Sequence, residues 1–213
     1  MIVSQFGVES WMDQYEEGAK YNITDTCAKP LSLAELFSLA GEDRTDFMDR
    51  FFEREQTYGT IFGSEKVKKE ISRLYESISP EEILTEHGAT GGNQHIFFSL
   101  IRPGDRVIAF SPSYQQFYSA PEALGAEVTV LRLRRENGYL PDLDELSQAA
   151  ARGVRMICLN NPNNPTGTLI PSDMLKDIVT IARQSGAYLF CDEVYSGVSI
   201  DGARSLSVCD LYE

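Results

Sequence analysis

No apolar run in this sequence is long enough to cross a bilayer, and the opening Met1-Ile2-Val3-Ser4-Gln5 has neither the basic start nor the apolar stretch of a signal peptide. Positive charge is scarce as well. Lys+Arg 19 against Asp+Glu 32 gives a net charge of -13, so nucleic acid and acidic membrane surfaces are poor partners. Cysteine is sparse and dispersed, at Cys27, Cys158, Cys191 and Cys209. Two of these fall in apolar runs, which points to reduced core thiols in a cytoplasmic protein rather than disulfides or a zinc site. Internal repeats, low-complexity tracts and obvious linkers are missing too. What is present is ordinary for a globular chain: 213 residues, 42% hydrophobic and 24% charged, enough apolar material for a core.

The stretch from Arg155 to Gly197 organises the rest. Met156 to Leu159 reads as a strand buried on both faces, and it stops at Asn160-Asn161-Pro162-Asn163-Asn164-Pro165-Thr166-Gly167. Prolines and glycine there forbid further pairing and force a defined loop. A helix follows from Pro171-Ser172-Asp173, with Leu175, Ile178, Val179 and Ala182 at helical spacing and Gly186 at its end. Tyr188 to Cys191 is the second buried strand, and Asp192, Glu193 and Tyr195 stand at its carboxyl end. A right-handed strand–helix–strand unit brings the asparagine loop and the acidic strand end to one sheet edge, where open α/β sheets bind ligands.

Asn-Pro-Asn-Asn-Pro-Thr-Gly followed by Asp-Glu-Val-Tyr on the next strand resembles the class I/II aminotransferases, the fold-type-I enzymes that use pyridoxal 5′-phosphate. The resemblance implies roles residue by residue. Asp192 matches the carboxylate that keeps the pyridine nitrogen protonated. Asn164 and Tyr195 match the amide and hydroxyl that hold the phenolic oxygen. In Gly88 to Phe98, Gly91, Gly92 and Asn93 match the phosphate cup, where glycine allows close approach and a helix start offers N–H groups. Tyr114 matches the ring that stacks on the pyridine, with Tyr118 one turn on as the alternative. Tyr58, in Thr57 to Gly63, either reaches the phosphate of a neighbouring subunit or packs its own loop.

The remaining elements follow from pattern. Helices are expected over Val8 to Lys20, Leu31 to Ala40 (capped by Ser32 with Glu35), Thr45 to Glu55 and Ser64 to Ser77, the last with Val67, Ile71, Leu74 and Tyr75 inward. Tyr21 to Pro30 should be extended, and it departs from the apolar-Gly-x-Pro pattern usual in the family. Ile83 to His87 should be a strand, and His95 should pack inside. Further strands are expected over Arg106 to Phe110 and Glu127 to Leu133, and further helices from Tyr114 to Leu124 and over Pro141 to Ala151. Four neighbouring parallel strands should start near Arg106, Glu127, Met156 and Tyr188, with Ile83 to His87 set apart from them.

The resemblance implies an α/β, three-layer large domain of the PLP-transferase kind with a mostly parallel sheet, truncated before the lysine-bearing segment. Residues 1–55 would be an N-terminal arm with part of the small domain, and 56–213 an incomplete cofactor domain. The lysines are Lys20, Lys29, Lys66, Lys68, Lys69 and Lys176, and none sits in the family's Ser-x-x-Lys context beyond Asp-x-x-Tyr. The Schiff-base lysine is therefore expected beyond Glu213, with no catalytic nucleophile among the residues of this chain, and no metal is expected. The implied function is amino-group transfer from an amino acid to a 2-oxo acid by a homodimer. A lyase, decarboxylase or synthase on the same scaffold, or a non-catalytic ligand-binding domain, remain the alternatives.

Overall fold

The computed structural model describes residues 3–24, 26–198 and 206–211. The chain divides into two compact units, residues 7–61 and residues 1–6 with 62–213.

The 7–61 unit holds three short helices: α1 (Gly7–Tyr15), α2 (Leu33–Ala40) and α3 (Arg44–Phe52). Capping chemistry sets their ends. The Ser32 hydroxyl accepts from the Glu35 N–H while the Glu35 carboxylate accepts from the Ser32 N–H at 2.7 Å, a reciprocal capping box. Gly41 closes α2 at φ +66°, a conformation that only glycine adopts without strain. Asp43 then caps α3 through the Asp46 N–H at 2.8 Å. Phe37 packs edge-on to Phe47 at 5.1 Å. No residue of these three helices is buried, although each carries an apolar stripe. Tyr21 to Pro30 forms neither helix nor strand, and Asp25 lies outside the described residues.

The larger unit runs α4 (Glu65–Ser72), α5 (Gly88–Leu100), β1 (Arg106–Ser111), α6 (Gln116–Ala123), β2 (Glu127–Arg132), α7 (Leu143–Ala150), β3 (Met156–Asn160), α8 (Ser172–Ser185) and β4 (Tyr188–Asp192). All four strands are parallel, in the order β2-β1-β3-β4, as expected from the sequence. Each central strand splits its side chains between two cores at a period of two. Ile108, Phe110, Ile157 and Leu159 face α7 and α8, against Leu146, Leu175 and Ile178. Val107, Ala109, Met156 and Cys158 face the other way, against Phe97 of α5 and Phe117 of α6. Burial on both faces explains why β3 is an unbroken apolar run up to Asn160.

The topology fixes where a ligand goes. From β1 the chain passes through α6 to β2 on one side. It then returns through α7, on the opposite face, to β3 on the other side of β1. The order reverses between β1 and β3, which leaves a crevice outside their carboxyl ends.

Three expectations are corrected. Ile83 to His87 is not a strand: Pro80–Glu82 forms a 3-10 turn, and the next residues make no ladder. Strand propensity in so short a run needs a neighbouring strand to satisfy its backbone, and none pairs with it among the described residues. On α4, Val67 is exposed and Lys68 is the buried residue, its ammonium 3.1 Å from Glu65 Oε1, and Leu74, beyond the end of α4, is exposed as well. The long alkyl stem of lysine covers apolar surface as a shorter apolar side chain would. His95 is exposed, with Nδ1 2.8 Å from Glu86 Oε2, because its position on α5 faces away from Phe97.

Candidate active site

Asn160 and Asp192 close β3 and β4 as register partners on the same rung, and both are buried. The Asn160 amide donates to the Asp192 carbonyl at 3.0 Å, and its Oδ1 accepts from the Asn164 N–H at 2.6 Å. One side chain thus joins the strand end to the loop. The rest of the loop is held by its own asparagines. Asn161 Oδ1 accepts from the Ile170 N–H at 2.9 Å, and Asn163 Nδ2 donates to Thr166 Oγ1 at 2.8 Å and to the Pro112 carbonyl at 3.2 Å. Gly167 turns the chain at φ +69°. Asn164 is the member whose side chain is turned outward, and its Nδ2 donates to the Tyr195 hydroxyl at 3.4 Å.

Asp192 is 7% exposed. Its Oδ1 accepts from the Val194 N–H at 3.0 Å and its Oδ2 from Asn93 Nδ2 at 2.8 Å. It forms no ion pair among the described residues. A buried carboxylate without a cation is costly unless it is well hydrogen-bonded or a cation arrives from outside.

That carboxylate lines a cleft of about 140 Å³ together with Tyr114, Asn164 and Tyr195. Four of the residues singled out in the sequence therefore meet in one place. The ring of Tyr114 is held edge-on by Phe117 at 5.8 Å and by Phe6 at 5.8 Å. The phosphate-cup residues are placed differently. Ala89 and Thr90 line the cleft; Gly91 and Gly92 do not. Helix α5 begins at Gly88, so the N–H groups without an acceptor inside the helix belong to Gly88, Ala89 and Thr90. Asn93 lies within the helix and its amide is spent on Asp192. Tyr58 belongs to the 7–61 unit and is 99% exposed. Asn160 escaped the sequence reading; its position as the last residue of the apolar strand was the available signal. Gln116, 2% exposed beneath the cleft, gave none.

Other reactive groups lie apart from this chemistry. Burial pushes the Cys158 thiol far up, and burial together with Glu193 does the same to Cys191, so neither is a ready nucleophile. The Glu86 carboxyl is held below its usual value by the His87 N–H first and by His95 second. No lysine lines the cleft: Lys176 on α8 faces Asp173 at 3.5 Å. The expectation that the Schiff-base lysine follows Glu213 bears on a position that this chain does not contain, and Glu213 itself lies outside the described residues. Among the described residues no cluster of His, Cys, Asp and Glu could hold a metal ion, and no helix is long and apolar enough to cross a membrane.

A parallel sheet with its order reversed at β1/β3, and a buried carboxylate, a tyrosine ring and an Asn–Tyr pair at that edge, define the large-domain fold of PLP-dependent transferases. Known proteins agree. The sequence profile of aminotransferase class I and II matches residues 48–211, and the chain belongs to that family. It is 34% identical over 130 residues to LL-diaminopimelate aminotransferase of Syntrophobacter fumaroxidans, covering 61% of this chain and 34% of that protein. It is 30% identical over 135 residues to aspartate aminotransferase of Thermotoga maritima, covering 63% and 36%. Among solved structures, a PLP-dependent aminotransferase from Streptococcus suis superposes with a TM-score of 0.94 at 42% identity, over 100% of this chain and 56% of that one. The PLP-bound C-S lyase of Staphylococcus hominis, at 20% identity and a TM-score of 0.69 over 78% of this chain and 44% of that one, shares the fold. The matched segments thus span about a third of the length of these curated relatives. Pyridoxal 5′-phosphate is the cofactor that this family membership implies.

Proposed function

We propose that the cleft holds pyridoxal 5′-phosphate for amino-group transfer between an amino acid and a 2-oxo acid. The observation that carries the reading is the buried Asp192 carboxylate, without a cationic partner among the described residues, facing a cleft whose other walls suit the rest of this cofactor. A pyridinium N–H supplies the missing positive partner. Asn164 Nδ2 and the Tyr195 hydroxyl, already turned toward each other, would hold the phenolic oxygen. The Tyr114 ring would cover one face of the pyridine. The N–H groups of Gly88, Ala89 and Thr90 would take the phosphate, with the helix dipole favouring its charge. Gly91 and Gly92 follow directly; a Cβ at either would meet only Glu86, at 3.8 and 3.9 Å, so packing within the chain does not demand glycine there.

When bound, the cofactor supplies an electron sink for a substrate carbon that has lost a proton. Asp192 maintains that sink by holding the proton at the ring nitrogen. Asn164 and Tyr195 stabilise negative charge on the phenolic oxygen, and Tyr114 excludes water from one ring face. Moving the substrate proton is assigned to none of this chain's lysines; that role is left to a lysine beyond Glu213. The assembly reading is a cytoplasmic homodimer in which Tyr58 reaches the neighbouring subunit's phosphate. Residues 1–55 would serve as arm and small-domain part, and 56–213 as cofactor domain.

Binding of 4′-deoxypyridoxine 5′-phosphate, which has no aldehyde and so needs no lysine, tests the site on the chain itself. Asp192→Ala should weaken it by tenfold or more, roughly the loss of one charge-assisted bond. Unchanged affinity overturns the assignment. The reaction class is tested with the remaining length that the relatives have: transfer of a labelled amino group to a 2-oxo acid supports it, and release as ammonia indicates a lyase.

A further inference from the structure

Asn93 and Gln116 are both buried, at 7% and 2% exposure, and lie end to end between the start of α5 and Asp192. Gln116 Nε2 donates to the Thr90 carbonyl at 2.9 Å. Gln116 Oε1 accepts from Asn93 Nδ2 at 3.1 Å, and the same Nδ2 donates to Asp192 Oδ2 at 2.8 Å. Both N–H bonds of the Asn93 amide are thereby used.

The direction of this chain of bonds is forced. A backbone carbonyl accepts and never donates, so Gln116 must turn its NH₂ toward Thr90 and its oxygen toward Asn93. Asn93 must then present its NH₂, and that NH₂ reaches Asp192 as a donor. On the other oxygen, Asp192 meets the Val194 N–H, again a donor. A protonated carboxyl has to place its O–H against an acceptor, and neither contact is one. The four groups fit together with Asp192 as a carboxylate. They also tie the carboxylate to Thr90, whose residue lines the cleft at the helix start.

We propose that Asn93 and Gln116 are positioning residues that fix the orientation and charge of the Asp192 carboxylate and its register with the start of α5, for a ligand bearing a cationic ring nitrogen. This rests on the cofactor reading above and departs from it in one respect. Asn93 acts on the nitrogen end of the ligand through Asp192 and leaves the phosphate to the backbone.

The test compares two probes on the full chain: 4′-deoxypyridoxine 5′-phosphate, and its carbocyclic counterpart in which C–H replaces the ring nitrogen. Asn93→Leu should cost about tenfold in affinity for the pyridine probe and less than about twofold for the carbocyclic one, as expected when one hydrogen bond to a charged group is lost. Gln116→Met should shift the same ratio in the same direction by about threefold, and it carries the test if Asn93→Leu fails to fold. Equal losses for both probes would mean that the two residues merely support the packing, and would overturn the proposal, as would no loss for either. A wild-type chain that binds neither probe overturns the cofactor reading and the proposal with it.

Discussion

The side chains of Asn164 and Tyr195, 31 positions apart in sequence, meet at 3.4 Å, with the amide donating to the phenol oxygen. One stands in the loop after β3 and the other in the turn after β4. A contact this long is weak, so a third partner lying between the two groups can compete with it. Asn164→Ala and Tyr195→Phe should each reduce affinity for 4′-deoxypyridoxine 5′-phosphate by roughly three- to tenfold. The losses should vanish for an analogue without the phenolic oxygen. Equal losses for that analogue would place the pair elsewhere.

Asp192→Asn should bring no gain in stability and a loss of binding. Removing the buried charge relieves a desolvation cost. The asparagine NH₂, however, must face either the Val194 N–H or the Asn93 NH₂, both of them donors, which offsets that relief. Urea melts of the chain without ligand should therefore show the variant no more stable than wild type. Affinity for the pyridine probe should fall, and turnover in the full-length setting should drop by about 3–5 kcal/mol in barrier terms. A variant that keeps wild-type affinity for the pyridine probe contradicts the role given to Asp192.

The cysteines should differ in reactivity by burial. Cys27 is exposed, whereas burial raises the thiol pKa of Cys158 and, less completely, of Cys209. Thiolate content falls about tenfold for each unit of pKa increase, so at pH 8 Cys158 remains a neutral thiol. Alkylation of the native chain followed by peptide mass spectrometry should find Cys27 modified first and Cys158 last. Early labelling of Cys158 would mean that β3 opens.

The outer edge of β4 gives a prediction about dynamics. The Tyr188 N–H donates to the Arg155 carbonyl and the Asp192 carbonyl accepts from the Asn161 N–H, so alternate residues from Tyr188 to Asp192 bond toward β3. The N–H groups of Leu189 and Cys191 then point away from β3, and no strand pairs there among the described residues. Hydrogen exchange of the chain should be fast at Leu189 and Cys191 and slow at Phe190. Protection at all three would show the edge covered by another strand, the arrangement through which such edges self-associate.

Much of this was legible before any coordinates. The apolar runs at Met156 to Leu159 and Tyr188 to Cys191 became β3 and β4. The helix between them ends at Gly186 in the left-handed conformation, and Ser32 with Glu35 makes the capping box. These are local signals: a period, a cap, a breaker. Ile83 to His87 failed because a strand is completed by its neighbour, and the run itself holds no information about whether that neighbour is present. Val67 and Lys68 on α4 were misread because periodicity gives a stripe, while the surface packed against it decides which residue is covered.

The same division runs through the site. By itself the sequence determined which residues stand at or just beyond the strand ends, since Asn164, Asp192 and Tyr195 lie where two buried strands must stop. Only the tertiary structure decided that Asn93 spends its amide on Asp192, that Gln116 orients it, and that Ala89 and Thr90 rather than Gly91 and Gly92 line the cleft. Hydrogen bonds between side chains 23 and 99 positions apart depend on how α5 and α6 pack on the sheet, and their geometry is set by that packing rather than by any spacing along the chain.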